Sequence, residues 1–257
     1  MKSGRIGFII QARTSSTRLP NKVMIPFYGN QTILDIQIER LHKNPFKHLI
    51  ILATTTNSND DVIEEKHQTD DRIKLFRGEE QNVLKRFVDA ATLYSLDHVI
   101  RICSDNPFLL SGVYTDMIQY YFNSNADYLT YRFKNNTPTI KSHIGLYGEV
   151  ASVQALKQVL KLTTENIYLE HVTNYLYANP ELFNIRFLDV PEMLEDFFDK
   201  LRLTVDTEED FEQIKKLYGV VIKKYGEEYK LENILEEINN DRILQYNMQT
   251  QIANNAK

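Results

Sequence analysis

The chain has 257 residues and a net charge of −5, with 42% apolar and 25% charged residues. This length supplies a sizeable core for one large domain. The negative balance excludes a general electrostatic attraction to nucleic acid or to an anionic membrane surface. The single cysteine, Cys103, excludes an intrachain disulfide and a zinc site built on cysteines.

The apolar runs of the sequence are short. None approaches the roughly 20 residues that a membrane-spanning helix requires. The run near the N-terminus, in MKSGRIGFIIQAR, turns polar too soon for a signal peptide. We therefore expect a cytoplasmic protein that binds neither a membrane nor a nucleic acid.

Short apolar runs alternate with longer amphipathic stretches through the first half of the chain. The apolar runs predict strands over Ile6–Ile10, Leu49–Ala53, Ile73–Phe76 and His98–Ile102. The amphipathic stretches predict helices over Gln31–Leu41, Asp60–His67, Glu80–Tyr94 and Gly112–Phe122. This alternation indicates an α/β protein with a mostly parallel sheet.

From about Tyr128 the alternation becomes irregular. The pattern predicts strands over Tyr128–Tyr131, His143–Val150, Asn184–Leu188 and Leu201–Val205. It predicts helices over Ser152–Leu160, Leu169–Tyr177 and Glu208–Lys216. No linker separates two independent parts, so we expect one domain over residues 1–246. The polar residues 247–257 are expected to form a frayed tail.

The segment after the first predicted strand, QARTSSTRLPNK over residues 11–22, carries the strongest chemical signal. Three cations, Arg13, Arg18 and Lys22, flank four consecutive hydroxyl residues. Open α/β sheets bind ligands beyond the C-terminal ends of their strands, and guanidinium, ammonium and hydroxyl groups together suit a polyphosphate. The segment has neither the Walker pattern nor G-x-G-x-x-G. On composition alone, a solvated basic loop fits it equally well.

Two aspartates, Asp105 and Asp206, each follow another apolar run directly. Taken singly, each also fits a turn or a helix N-cap. Two strand-end carboxylates beside a phosphate-binding loop would form a Mg²⁺ site, because Mg²⁺ takes one or two carboxylates and completes its shell with water and phosphate oxygens.

The stretch IIQARTSSTRLPNKVM resembles the opening motif of the cytidylyltransferases that make CMP-activated sugar acids. It is most similar to the subfamily of the spore coat polysaccharide biosynthesis protein F, whose relatives include the CMP-Kdo and CMP-sialic acid synthetases. The family pattern A-R-x-x-S-x-R-x-P-x-K is met by Ala12, Arg13, Ser16, Arg18, Pro20 and Lys22. Similar segments follow in the family's order: Arg77-Gly78 with Val83-Leu84-x-Arg86-Phe87, RICSDNP, His143-Ile144-Gly145-Leu146-Tyr147, Glu170-His171-Val172-Thr173 and LTVDTEED.

The resemblance implies a three-layer α/β/α fold of the nucleotide-diphospho-sugar transferase type. It implies a nucleotide-binding half at about residues 1–125, a smaller acceptor and dimerisation part at about 126–200, and a return to the sheet at about 201–246. The implied reaction transfers CMP from CTP to a small-molecule acceptor, a sugar acid or similar surface-polysaccharide precursor, and releases pyrophosphate. Mg²⁺ as cofactor and a homodimer are implied as well.

The resemblance also implies residue roles. Catalysis would depend on Arg13, Lys22 and Asp105. The nucleotide would be held by Ala12, Arg13, Ser16, Arg18, Lys22, Arg77 and Gly78. Magnesium would be held by Asp105 and Asp206. The acceptor would contact His143, Tyr147, Glu170 and His171.

The chain departs from the subfamily in one motif. Where the subfamily often has T-G-D-x-P-L-I-D, this sequence has Cys103, Ser104 and, at the later acid, Leu110. This departure leaves the acceptor open. It also leaves open a catalytically silent nucleotide-binding relative. A glycosyltransferase of the related fold is a further alternative. The glycosyltransferase usually needs a D-x-D metal motif, which this sequence lacks.

Overall fold

The computed structural model describes residues 3–45 and 47–255. Its centre is a sheet whose strands are β1 (Ile6–Gln11), β2 (Leu49–Thr55), β3 (Lys74–Gly78), β4 (His98–Cys103), β5 (Tyr128–Arg132), β6 (Glu149–Ser152) and β7 (Ile185–Asp189). Their order across the sheet is β3-β2-β1-β4-β6-β5-β7. Strand β6 runs antiparallel to β4 and β5, and the other pairings are parallel. The predicted fold class is confirmed.

Helices cover both faces of this sheet. They are α1 (Ile33–His42), α2 (Asp61–His67), α3 (Val83–Leu93), α4 (Tyr114–Ser124), α5 (Val153–Leu162), α6 (Asn166–Glu170), α7 (Asn174–Ala178), α8 (Glu192–Glu195), α9 (Glu208–Tyr225), α10 (Leu231–Asn239) and α11 (Arg242–Asn254). Buried residues of α1 and α4 pack on one face, and those of α3, α5 and α7 pack on the other. Within residues 3–45 and 47–255, no helix combines the length and apolar character that crossing a bilayer demands.

The C-terminal part of the chain differs from the prediction. Leu201–Val205 forms no strand, and the described chain does not return to the sheet after β7. Leu201, Leu203 and Val205 are instead buried in a cluster with α9, α10 and α11. The apolar alternation that predicted a strand therefore reflects packing against helices.

Two other predicted elements are shorter than expected. Residues 143–148 form no strand, because Gly145 adopts a φ of +54°, outside the range of extended chains, and β6 begins only at Glu149. The helix predicted over Leu169–Tyr177 is divided into α6 and α7. The tail expected to fray is helical through Asn254. Residues 256–257 of that tail, and residues 1, 2 and 46 of the predicted domain, lie outside the described residues.

Gly148 precedes β6 at the point where the chain passes closest to β4. A Cβ atom there would lie 2.8 Å from the backbone oxygen of Arg101 and 2.8 Å from Cδ1 of Ile102. Backbone atoms cannot move apart at this distance without strain, so overpacking of this kind lowers the free energy of unfolding by about 1–3 kcal/mol. Gly148 therefore allows β6 to lie beside β4.

We expect Gly148→Ala to lower the free energy of unfolding by about 1–3 kcal/mol, because the added methyl group overpacks this contact. Urea denaturation measures the change. Gly112→Ala is the matched control, since its Cβ would meet no atom within 4 Å. Equal stability of the two variants would contradict the packing assigned to Gly148.

Candidate active site

The order of strands reverses between β1 and β4. From β1 the chain proceeds to β2 and β3 on one side, and β4 then pairs with β1 on the other side. Gln11, the last residue of β1, lies opposite Ala53 of β2 and Cys103 of β4. A crevice at such a switch point is the usual ligand site of an open α/β sheet. Here a cavity of about 740 Å³ opens at this edge.

The cavity brings together nine of the residues singled out from the sequence. They are Ala12, Arg13, Ser16, Arg18, Lys22, Asp105, Glu170, His171 and Asp206. Four others are not among the described residues that line it: Arg77, Gly78, His143 and Tyr147. Nine of the thirteen residues predicted for the site therefore meet in one cavity, and their roles stay predictions.

Lys22 links the two aspartates predicted to hold a metal. Its Nζ lies 3.5 Å from Oδ1 of Asp206 and 3.9 Å from Oδ2 of Asp105. It also donates a hydrogen bond of 2.6 Å to the backbone oxygen of Val205. Arg18 donates a 2.8 Å hydrogen bond to Oδ1 of Asp206. Two cations of the loop after β1 thus meet the carboxylates that follow β4 and precede α9.

A buried network of charged side chains holds Asp206 in place. Arg202, which is 1% exposed, makes a bidentate pair with Asp210 at 2.6 and 2.7 Å, and its Nη2 lies 3.4 Å from Oδ2 of Asp206. The backbone N–H of Asp206 donates to Asp210 at 3.0 Å. Paired planar groups of this kind hold a fixed geometry. The turn that carries Asp206 into α9 is therefore rigidly placed.

Asp60 anchors the loop formed by residues 12–22. This carboxylate is 1% exposed and accepts hydrogen bonds of 2.7 Å from both the backbone N–H and the hydroxyl of Thr14. Its second oxygen accepts from the hydroxyl of Thr55 at 2.5 Å. Sequence reasoning assigned Asp60 only a place at a helix start, since nothing in the sequence indicates a partner 46 residues away.

Weaker contacts hold the outer part of the loop. Ser15 donates a 2.8 Å hydrogen bond to Glu80, and Asn57 donates to the same carboxylate at 3.2 Å. These two hydrogen bonds hold the pKa of Glu80 below its usual value. Arg13 lies 3.4 Å from Glu170, and both side chains are partly open to solvent.

Arg77 and Gly78, expected near the base and ribose, have other surroundings. Arg77 pairs with Asp61 at 2.6 Å and Glu64 at 2.8 Å on α2, and donates to the backbone oxygen of Thr55 at 2.8 Å. These contacts tie β3 to α2. Gly78 gives room to a neighbour, because a Cβ there would lie 3.0 Å from Cγ of Arg86.

His143 and Tyr147, expected at the acceptor, are likewise turned elsewhere. His143 is buried and its Nδ1 lies 2.6 Å from Nη1 of Arg202, so it supports the network behind Asp206. Tyr147 stacks on Tyr131 with ring centroids 4.3 Å apart and lines a separate cavity of about 460 Å³. It also lines a small cavity of about 40 Å³ that Cys103 and Asp105 share. Leu110, at the position of the missing acid, is buried in the apolar core.

A buried network of polar side chains lies at the floor of the cavity, and no motif of the sequence predicted it. Arg101 donates to Gln11 at 2.9 Å and to Glu149 at 2.6 Å. Glu149 also accepts from Tyr128 at 2.5 Å and from Thr173 at 2.8 Å. Burial alone lowers the pKa of Arg101, but the neighbouring acidic groups of Cys103 and Glu149 more than offset this, so the pKa is raised.

Positive charge is concentrated in this cavity although the whole chain is negative. Its lining carries six cationic side chains, Arg13, Arg18, Lys22, Arg86, Arg101 and Lys141. Three carboxylates, Asp105, Glu170 and Asp206, oppose them. A low-dielectric cleft focuses such a field on its interior. The arrangement suits a polyanion.

The same residues set a limit on metal binding by the protein alone. Within the described chain, no group of three or more His, Cys, Asp or Glu side chains is arranged to hold a metal ion. The cavity offers two carboxylates, Asp105 and Asp206. Two carboxylates suffice for Mg²⁺ only when phosphate oxygens and water supply the remaining ligands.

A cation-lined cavity at the switch point of a mostly parallel sheet with helices on both faces is typical of a protein that binds a phosphorylated ligand such as a nucleotide. Residues 7–248 match the family model described as Cytidylyltransferase, so the chain belongs to the cytidylyltransferase family. The resemblance noted in the sequence is thereby confirmed.

Relatives agree with this assignment. The spore coat polysaccharide biosynthesis protein SpsF of Bacillus subtilis (strain 168) is 36% identical over 216 residues, covering 82% of this chain and 85% of the relative. A solved cytidylyltransferase from Leptospira borgpetersenii serovar Hardjo-bovis is 28% identical with a TM-score of 0.81, covering 95% of this chain and 97% of that one.

A more distant structure shares the fold. CMP:2-keto-3-deoxy-manno-octonic acid synthetase, solved in complex with CTP, superposes with a TM-score of 0.61 at 14% identity, covering 84% of this chain and 99% of that one.

We expect Asp60→Ala to lower the free energy of unfolding by about 2–4 kcal/mol, because it leaves buried donors of Thr14 and Thr55 without their charged acceptor. Urea denaturation measures the change. Asp61→Ala is the control: its side chain is 47% exposed and forms a surface ion pair, so about 1 kcal/mol or less is expected. Equal losses in both variants would contradict the anchoring role of Asp60.

Proposed function

We propose that this chain transfers CMP from CTP to an oxygen of a sugar acid or similar surface-polysaccharide precursor and releases pyrophosphate. The observation that carries the proposal is the meeting of Arg18 and Lys22 with Asp105 and Asp206 in one cavity. Cations for phosphate and oxygen ligands for a divalent ion lie together there. Family membership supports cytidylyl transfer, and the related synthetase solved with CTP has the same fold.

The nucleotide is proposed to lie along the loop after β1. Arg18 and Lys22 would bind the β- and γ-phosphates, and Arg13 would bind the α-phosphate. Ser16 and the backbone of Ala12 would supply further hydrogen bonds. Arginine forks match phosphate oxygens in pairs, and lysine acts as a point charge. Both kinds of cation line the cavity here.

The donor set of the cavity fits Mg²⁺. Asp105 and Asp206 would hold the ion by carboxylate oxygens, which are the ligands Mg²⁺ prefers, and a triphosphate would complete its shell. When bound, Mg²⁺ would neutralise charge on the phosphates. Both carboxylates already lie within 4 Å of Lys22, so the cation and the two acids are preassembled.

The proposed reaction is an in-line displacement at the α-phosphorus. The oxygen of an acceptor hydroxyl forms a bond to that phosphorus and gives up its proton to solvent, while the bond to the bridging oxygen of the β-phosphate breaks and pyrophosphate leaves with its electron pair. The protein contributes position and charge rather than covalent chemistry. Lys22 and Arg18 would offset charge on the departing pyrophosphate, and Arg13 would offset charge on the α-phosphoryl group.

The acceptor is proposed to enter beside α6. Glu170 and His171 lie at the end of this helix, are exposed, and line the cavity. Lys141, also exposed, lines the cavity with them and suits the carboxylate of a sugar acid. A homodimer and a cytoplasmic location stay predictions.

A pyrophosphate-release assay with each of the four nucleoside triphosphates and a panel of sugar acids tests the function. Release from CTP in the presence of one acid supports the proposal. Transfer from a nucleotide-sugar would instead indicate a glycosyltransferase, and tight nucleotide binding without turnover would indicate a silent relative.

We expect Asp105→Asn to lower Mg²⁺-dependent pyrophosphate release from CTP about 100-fold or more, the cost typical of losing one charge-stabilising group. The fold should survive, because the contact of Asp105 with Val205 uses its backbone oxygen. The melting temperature checks this.

Asp116→Asn is the control for Asp105→Asn, since Asp116 is exposed in the first turn of α4. Its turnover should equal that of the unmodified protein. Near-normal turnover of Asp105→Asn would remove Asp105 from the site.

A further inference from the structure

Arg86 is a buried cation of the cavity that the proposed mechanism does not use. It lies in the first turns of α3, is 2% exposed, and lines the cavity together with Ala12 and Val83. Its Nη1 donates a 2.8 Å hydrogen bond to the backbone oxygen of Glu79. The chain around it makes room, since Gly78 lacks the Cβ that would press on Cγ of Arg86.

The opposite edge of the Arg86 guanidinium is unsatisfied. Its Nε is buried with no hydrogen-bond partner among the described residues. In residues 3–45 and 47–255, no carboxylate forms an ion pair with it and no acceptor is found for Nη2. In Arg202 and Arg72 the same two atoms, Nε and Nη2, donate a pair of hydrogen bonds to one carboxylate. The acceptors are Asp210 and Asp70, respectively. Arg86 therefore holds a two-donor fork without its acceptors.

An unsatisfied buried guanidinium is costly. Burial and the positive charge of Arg13 lower the pKa of Arg86 to about 10, although the carboxylates of Asp60 and Glu80 oppose this shift. A buried charge without a partner destabilises the fold. A buried donor without an acceptor loses its hydrogen bonds to water and gains no replacement. Such a group beside a cavity is explained when a ligand supplies two adjacent acceptors.

The surroundings of Arg86 differ from those of the phosphate cations. Arg18 and Lys22 lie with Asp105 and Asp206, whereas Arg86 lies with the buried apolar side chains of Ala12 and Val83. Apolar walls with one placed polar group are typical of sites for a flat heterocycle. Among the cations that line the cavity, Arg86 thus suits the base rather than the triphosphate.

We infer that Arg86 recognises the pyrimidine base of the nucleotide by donating to O2 and N3 of cytosine. These two atoms are adjacent acceptors and match the fork. Uracil carries a hydrogen on N3, so it would place a donor against a donor. A site built to satisfy buried polar groups rejects an analogue that leaves them unpaired. This inference rests on the proposed function and assigns its base selectivity to one residue.

Nucleotide binding without acceptor tests the inference, because it does not require turnover. Calorimetric titration with Mg²⁺–CTP and Mg²⁺–UTP gives the preference of the unmodified protein, which we expect to favour CTP. Arg86→Lys keeps the charge and removes the fork. It should reduce the CTP preference about 10- to 100-fold, the usual value of a bidentate contact to a base, mainly by weakening CTP.

Arg40→Lys is the matched control. Arg40 is also buried, donates to backbone oxygens of Leu109 and Glu227, and lines the separate cavity. Its variant should keep the CTP preference. The melting temperatures of both variants report on folding.

An altered ligand keeps the test decisive if Arg86→Lys does not fold. The triphosphate of 3-deazacytidine has a C–H group in place of N3 and should bind the unmodified protein about 10-fold or more weakly than CTP. Equal binding of CTP and UTP, equal binding of CTP and the deaza analogue, or an equal loss for CTP and UTP in Arg86→Lys would each overturn the inference. Failure of the unmodified protein to bind any nucleotide would overturn the proposed function as well.

Discussion

The site depends on the register of three parallel strands. Because β1 pairs with β2 on one side and with β4 on the other, the loops that leave these strands emerge at one edge of the sheet. The loop after β1 brings the phosphate-type cations, and the residue two positions after β4 is Asp105. Opposite charges then meet over the crevice, and the ion pairs of Lys22 follow from this placement. Residues 12–22 contain no glycine, so the proposed binding of a polyphosphate there depends on side-chain charge rather than on a glycine-rich backbone loop.

Much of this arrangement could be predicted from the sequence. The apolar runs that form β1 and β4 are short and fully buried, a pattern typical of central parallel strands. The cations that follow β1 are close together in sequence. Predicting that they lie together in space therefore required only that β1 be predicted correctly. Asp105 could be placed at this edge because β4 was predicted correctly. Asp206 was expected there at the end of a strand that does not form, yet its side chain does line the cavity. The resemblance to a known family added the residues on α6, which no pattern of the chain itself would have selected.

The expectations that the structure does not support concern residues whose positions depend on contacts with residues distant in sequence. Leu201–Val205 has the alternation of a strand, but its apolar side chains pack on α9 to α11, and alternation does not reveal the partner. Arg77 was expected at the base, yet two acids of α2 attract it. His143 was expected at the acceptor, yet Arg202, 59 residues away, holds it in the interior. A sequence gives the type of each side chain, while its direction is set by contacts of this kind.

The hydrogen bond between Arg18 and Asp206 joins residues 188 positions apart. During synthesis the cationic loop therefore leaves the ribosome well before the acid that completes its surroundings. Contacts of such separation form late, after the intervening chain has been ordered. The nascent polypeptide therefore passes through a long interval in which its cluster of positive charge lacks this counter-charge.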